Sequence, residues 1–221
     1  MKTILISTAV ALALALPTSG SAGAARGASG STTFADSTGE LSGGPDITAV
    51  TVSNDDQGTL TFAIAVANRP SLTQDMAVAV FIDTDLNAST GYAGGDGADY
   101  VIDYEGGTAD LGKWNGSAWD WSTPQSSLVS SYSSGATLKL NVADLGGVSA
   151  FNFFVAVLEM QNGSPVLDFA PDAGHGTWNY RVAISPPAAK PPAKQPPAKP
   201  KPATPKCKKG QKSTKAHRCH K

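Results

Sequence analysis

Apolar residues between positions 47 and 184 recur mainly at every second position. Leu60, Phe62 and Ile64 alternate with threonine and alanine, which is the pattern of a strand with one buried face. Residues 76–82, MAVAVFI, are almost continuously apolar and predict a strand buried on both faces. Further strands are predicted at residues 47–52, 100–104, 109–114, 118–121, 127–132, 137–142, 151–160, 166–169 and 177–184.

Helical periodicity is nearly absent from this region, where only residues 143–146 suggest a single turn. The short strands follow one another at intervals of about ten residues, with glycine-rich turns between them. The pattern predicts an all-β fold, an antiparallel β-sandwich of jelly-roll-like type. Asn115 and Gly116, between Trp114 and Trp119, predict a hairpin with a type I′ turn, in which both central residues have positive φ.

The N-terminus has the features of an export signal. Lys2 precedes an apolar stretch at residues 4–16, and Ala22-Gly23-Ala24 supplies the small residues at a cleavage site. The stretch is shorter than the roughly 20 residues of a membrane helix, so an uncleaved anchor is the weaker interpretation. We predict a signal peptide at residues 1–24, a flexible segment at 25–35 and the sandwich at 36–184. The mature protein is then extracellular, without a membrane span and without intracellular nucleic acid as a partner.

The C-terminus departs sharply from this composition. Residues 185–206 consist almost entirely of proline, alanine and lysine, which predicts a disordered, extended linker, because proline removes backbone donors and fixes φ. Residues 207–221 form a cationic tail bracketed by Cys207 and Cys219, and an oxidising compartment favours a disulfide between them. A metal site that adds His217 and His220 is the alternative, but the ligand spacing does not suit zinc.

Charge is divided between the two regions of the chain. All eighteen acids lie between Asp36 and Asp172, and with five cations they give the body, residues 25–184, a charge of −13. The region after residue 184 carries ten lysines and Arg218, a charge of +11, and no acid. This asymmetry predicts an anionic partner for the tail, such as an anionic cell-wall polymer or another extracellular polyanion. The alternative is a tail that only solubilises the protein or folds back on its own acidic domain.

The segment DTDLNASTGYAGGDGADY, residues 83–100, carries the clearest candidate chemistry. Asp83, Asp85 and Asn87 occupy alternate positions after a buried strand, and Asp96 and Asp99 follow where the chain can return to the same point. Calcium takes six to eight oxygen ligands, so these five residues are predicted to hold a calcium ion.

The loop is not an EF-hand, because Ala88 and Gly94 stand where that motif requires glycine and a bidentate glutamate. A turn whose aspartate and asparagine side chains bond their own backbone is the alternative to calcium.

The strand-loop-strand VFIDTDLNASTGYAGGDGADYVI resembles exported sandwich domains related to family 9 carbohydrate-binding modules and to DOMON-type domains. The segments ATLKLNVADLGG, FNFFVAV and APDAGHGTWNY are similar to the later strands of those domains. The resemblance implies a jelly-roll sandwich, structural calcium and glycan binding. The C-terminal tail resembles the cationic tails of exported actinobacterial proteins.

Glycan binding needs aromatic faces that stack on sugar rings. Trp114, Trp119 and Trp121 are the principal candidates for these faces. Further candidates are Tyr132, Trp178 and Tyr180. The alternative is that these rings pack inside the sandwich, as large aromatics usually do.

Evidence for other chemistry is weak. His175 is the only histidine of the body, and neither a serine nucleophile elbow nor an HExxH motif occurs. Haem, which some DOMON relatives bind, would have only Met76, Met160 and His175 as axial ligands. We therefore predict a monomeric, non-enzymatic binding or surface-display module. The alternatives are a secreted hydrolase that acts on polysaccharide, for which no carboxylate pair stands out, and a structural surface protein without a small ligand.

Overall fold

The computed structural model describes residues 30–174 and 176–183, and a few C-terminal positions at 209, 212–213 and 219–220. Twelve strands lie within residues 30–183. They are Ser31–Ala35 (β1), Ala49–Asn54 (β2), Thr59–Ala65 (β3), Met76–Asp83 (β4), Tyr100–Glu105 (β5), Thr108–Trp114 (β6), Trp119–Asp120 (β7), Val129–Tyr132 (β8), Gly135–Asn141 (β9), Ala150–Gln161 (β10), Ser164–Ala170 (β11) and Trp178–Arg181 (β12). The helical elements within these residues are two 3₁₀ helices, Ala93–Gly95 and Val142–Leu145.

The strands form two antiparallel sheets. The five-stranded sheet has the order β1-β2-β3-β9-β8, and the seven-stranded sheet has the order β11-β10-β4-β5-β6-β7. Strand β12 also belongs to the second sheet and pairs with residues 150–153 of β10. The chain changes sheets after β3, β7 and β9. The predicted all-β, antiparallel sandwich is confirmed.

The core between the sheets follows from the period-two pattern. Val50 and Val52 of β2 and Phe62 of β3 are fully buried, as are Phe151 and Phe153 of β10 from the facing sheet. The rings of Phe62 and Phe153 meet edge to face with 5.7 Å between their centroids. Burial of each such side chain contributes about 1.5–3 kcal/mol, so this interior supplies much of the free energy of folding.

Strand β4 is buried on both faces, as its continuous apolar sequence predicts. Val78, Val80 and Ile82 face the core between the sheets. Ala79 and Phe81 face the opposite side and belong to a second apolar group, which we call the outer cluster. Its buried members are Ala79, Phe81, Ala98, Val101, Phe154, Ala156 and Leu158, and its partly buried members are Tyr92, Trp119, Trp121, Met160, Leu167 and Phe169.

The sandwich begins earlier than the predicted boundary at residue 36. Strand β1, at Ser31–Ala35, lies in the segment predicted to be flexible and pairs along its whole length with β2. Its one buried side chain is Phe34, which stacks on Trp178 at 5.1 Å and meets Phe153 edge to face at 5.2 Å. The Phe34 side chain and five paired positions with β2 hold this segment in the sheet. The strand is too short to show a clear alternation of apolar and polar residues in its sequence.

The hairpin at Asn115 and Gly116 is present, but its turn is not type I′. Trp114 pairs with Trp119, so the connection has four residues rather than two. Gly116 has φ +98°, whereas Asn115 is not among the residues with positive φ. Instead, the Asn115 side chain accepts hydrogen bonds from the backbone of Ser117 and Ala118, both at 3.0 Å. This side-chain bonding replaces the left-handed conformation at asparagine.

The C-terminal region contains a short antiparallel pair, Lys212–Ser213 (β13) and Cys219–His220 (β14). The predicted signal peptide at 1–24, linker at 185–206, Cys207 and the Cys219 side chain lie outside what the structure describes, as does His175. Within the described part of the chain, no helix is both long and apolar enough to cross a membrane.

Candidate functional site

The connection between β4 and β5, residues 84–99, begins and ends at carboxylates, and we call it the carboxylate loop. Asp83 ends β4, Asp85 follows it, and Asp99 immediately precedes β5. One side-chain oxygen from each of these three residues lies within 4.8 Å of the others. Asp83 is only 2% exposed, whereas Asp85 is exposed and Asp99 is half-buried. The site therefore opens from a buried strand end toward solvent.

Neutral donors hold the three carboxylates in place. Asp83 accepts hydrogen bonds from the Asn87 backbone at 3.2 Å and from the Asn152 side-chain amide at 3.0 Å. The Asn87 amide is shared with Asp85, at 3.0 Å. Asp99 accepts from the Thr84 backbone at 2.9 Å and from the Thr84 hydroxyl at 2.5 Å. These bonds orient the oxygens without neutralising their charge.

Electrostatics at the buried carboxylate favour a positively charged ligand. Burial raises the pKa of the Asp83 carboxyl, the neighbouring Asp85 carboxylate raises it further, and the bonds from Asn152 and Asn87 oppose the rise. A carboxylate that is desolvated beside another carboxylate is stabilised by a proton or a cation. Oxygen-only donors converging on one point suit calcium.

The other two predicted ligands, Asn87 and Asp96, have different surroundings from one another. The side-chain oxygen of Asn87 accepts a bond from the backbone of Ser89 at 3.1 Å, which is the turn-type bonding of the alternative interpretation. Asp96 ends the 3₁₀ helix with φ +49° and is not a member of the three-carboxylate group. Of the four predicted acidic ligands, the structure thus brings together Asp83, Asp85 and Asp99.

Backbone conformation in the carboxylate loop is unusual at two non-glycine positions. Leu86 has φ +61° and Asp96 has φ +49°, a region that side chains with a Cβ rarely adopt. Leu86 is also one of the large hydrophobic residues that remain exposed. Such conformations cost free energy and are typical of functional loops.

The tryptophans of the β6–β7 hairpin lie on the outer face of the seven-stranded sheet. Trp119 and Trp121 contact the outer cluster. The ring of Trp121 packs against Gly112 of β6, and Trp114 lies on the same face of that strand as Gly112. A Cβ at residue 112 would lie 2.9 Å from the Trp121 ring, so the ring can pack this closely because residue 112 is glycine. All three indoles are half-buried. The three rings therefore do not point into the core between the sheets, but they pack on the outer side of the second sheet.

Tyr92 connects the two parts of the site. It lies in the carboxylate loop, and its ring centroid is 5.0 Å from that of Trp114 and 5.4 Å from that of Trp119. The two indoles are themselves 5.3 Å apart. The carboxylate loop therefore forms one wall of this aromatic group.

The remaining aromatic candidates make contacts within the sandwich. Trp178 packs on Phe34, and Tyr180 packs on Phe151 in the core between the sheets. The Tyr132 hydroxyl donates a hydrogen bond to the Arg69 carbonyl at 3.2 Å.

Sequence reasoning missed Asn152, which reaches Asp83 from β10. The sequence does mark Asn152 as unusual, because it is the only polar residue in the otherwise apolar run at residues 151–158. The pairing of β10 with β4 places it directly opposite Asp83. Only knowledge of that pairing shows which site it serves.

No protein-family model, curated protein or solved structure matches this chain. The resemblance to carbohydrate-binding and DOMON-type domains therefore stays a prediction.

Proposed function

We propose that the chain is an exported, non-enzymatic binding or surface-display module. In this proposal the carboxylate loop holds calcium, the tryptophan-bearing face binds glycan, and the cationic tail associates with an anionic cell-wall polymer. The contact of Tyr92 with Trp114 and Trp119 carries the proposal, because it joins the candidate calcium loop to the candidate glycan surface.

Asp83, Asp85 and Asp99 would hold the calcium ion. The ion would supply positive charge to the desolvated oxygens and join the two ends of the carboxylate loop. With the ends joined, the loop residue Tyr92 keeps its place against the indoles. Calcium then acts on binding indirectly, by ordering the aromatic surface before the ligand arrives.

Half-buried indoles suit sugar recognition better than fully buried ones. Part of each ring rests on the sheet and fixes the orientation, while the rest stays accessible for stacking. Exposed polar side chains surround the hairpin, including Ser117 and Asp120, whose oxygens can bond sugar hydroxyls.

The test is binding of the full chain to a panel of immobilised polysaccharides. Trp119→Ala is expected to weaken binding to any retained glycan by about tenfold or more, because it removes a central ring of the aromatic group. Val129→Ala is the matched control, since Val129 is 62% exposed and lies on β8 of the other sheet. Equal binding by both variants and the wild type would contradict glycan recognition at this face.

A hydrolase is the second candidate, and one observation bears on it. Asp103 of β5 lies directly opposite Asp110 of β6, so two carboxylates share one face of the sheet, and a glycosidase needs such a pair. However, Asp103 is 3% exposed, which leaves little access for a polymer. Release of reducing sugar that Asp103→Asn abolishes would replace the binding proposal with this one.

A further inference from the structure

The segment between β1 and β2, residues 36–48, leaves the five-stranded sheet, contacts the edge strand β11 of the other sheet and returns, and we call it the strap. Its ends are joined by a hydrogen bond from the Asp36 amide to the Thr48 carbonyl at 3.2 Å. The Ile47 amide donates to Asp168 of β11 at 2.6 Å. Gly44 lies so close to β11 that a Cβ there would be 2.8 Å from Val166.

One part of the strap is fastened by a balanced ion pair. Arg69 donates to the Gly43 carbonyl at 2.7 Å and forms a salt bridge with Glu159 of β10, also at 2.7 Å. Gln161 donates to the same carbonyl at 3.0 Å. Cation and anion offset each other here, so this attachment does not depend on pH near neutrality.

In the other part of the strap, at Asp36, the charged neighbours are all acids. Asp168 is only 5% exposed and accepts bonds from the backbone of Ile47 and of Phe169. One oxygen of Asp36 and one of Asp46 are buried without a hydrogen-bond partner. The charged groups that bear on Asp36 are Asp172, Asp168 and Glu40, and Ser37 bonds Asp172 at 2.7 Å. Full ionisation would therefore place like charges together at a desolvated position.

A single calcium ion does not suit this arrangement. Of the described residues, only Asp83, Asp85 and Asp99 bring three acidic side-chain oxygens within 4.8 Å of one another. The strap acids are spread more widely, and calcium needs converging ligands. A proton bound to one carboxyl group removes a negative charge from the strap, and it does not need several ligands that converge on one point.

We propose that the strap is a pH-sensitive clasp, held on β11 while Asp36 is protonated and loosened when Asp36 ionises.

The direction of the pH effect follows from the titration of Asp36. Burial raises its pKa to about 7, and the charges of Asp172, Asp168 and Glu40 add to the rise. Burial also raises the pKa of Asp168, against the hydrogen bonds from Ile47 and Phe169. Because the unfolded chain releases the Asp36 proton near pH 4, the folded protein binds more protons between about pH 4 and pH 7. Stability from this group is complete below that window and is lost as pH rises through about 7.

The first test is a carboxyl carbon titration of Asp36 by NMR in the full wild-type chain. A midpoint near neutral pH is expected. A midpoint near 4, the ordinary value for aspartate, would overturn the proposal. A midpoint that drops when calcium replaces EDTA would also overturn it, because the strap would then hold a cation.

The second test measures loosening directly by amide hydrogen exchange. The protection factor of Ile47, relative to that of Val80 in β4, is expected to fall at least tenfold between about pH 5 and about pH 8. Asp36→Asn is expected to abolish this fall, since its amide cannot ionise, and Asp75→Asn, an exposed control, is expected to retain it. An unchanged protection factor in the wild type, or an equal fall in Asp36→Asn, would contradict the clasp.

Discussion

Gly97 has a strict steric requirement in the carboxylate loop. Its φ is +83°, and a Cβ there would lie 2.6 Å from the Cα of Ala88 and 2.8 Å from the carbonyl oxygen of Asn87. The two limbs of the loop lie so close here that this position must have no side chain, and the same holds for Gly91, where a Cβ would lie 2.2 Å from the carbonyl oxygen of Gly97. That approach brings Asp99 back toward Asp83 and Asp85.

Gly97→Ala is therefore expected to destabilise the protein by about 3 kcal/mol, from the strained φ together with the backbone clash. Gly106→Ala is the matched control, because Gly106 also has positive φ, but a methyl group added there would have no other atom within 4 Å. The control is expected to lose only about 1 kcal/mol. Urea denaturation measures both, and equal losses would show that the close approach is not needed.

Individual site residues differ in how far their sequence context reveals them. Asp83 and Asp85 were predictable, because alternate acids at the end of an apolar strand project together into a loop. Asp99 was predictable because a glycine-rich segment lets the chain return. Asn152 lies on another strand, and Asp36 meets Asp168 across 132 positions of sequence. Contacts of that kind depend on strand pairing, which local pattern does not specify.

At the scale of elements, strands with a full alternation of apolar residues were predicted closely. Strand β3 shows it over Leu60, Phe62 and Ile64, and β4 shows the continuous pattern of a strand buried on both sides. Strand β1 was missed because only Phe34 of its five residues is buried. Its order comes from pairing with β2 and from the ring contact with Trp178, which are tertiary effects.

The outer cluster shows a second limit of pattern reading. Trp119 and Trp121 are two positions apart, which indicates that they lie on the same face of the sheet. However, β4 is apolar on both faces, so either face of this sheet could have been the inner one. Period-two patterning therefore did not show which side faces the other sheet. The pairing of β6 with β5 decides this, because it sets Gly112 opposite Val101 of the outer cluster.

At the scale of the whole molecule, the division of charge predicts a salt-dependent attachment. The region after residue 184 carries +11 and the body −13. The full chain is expected to bind isolated anionic cell walls at low salt and to be released as salt rises from about 0.05 M to about 0.5 M, because screening shortens the reach of charge.

A chain that ends at residue 185 is the comparison in a cell-wall pull-down, and it is expected to lose most of the binding. A chain that ends at residue 206 keeps the linker and half of the lysines that follow residue 184, so intermediate retention is expected. Equal retention of all three chains would show that the tail does not attach the protein.

The central claim is that calcium at Asp83, Asp85 and Asp99 braces the loop beside the tryptophans. The most direct measurement is the melting temperature of the full chain in calcium and in EDTA. With calcium at about 100 times its dissociation constant, a rise of roughly 5–10 °C is expected. Asp85→Asn, at an exposed ligand position, is expected to abolish most of the rise, and Asp75→Asn is expected to keep it. A melting temperature that is the same in calcium and in EDTA would contradict the account.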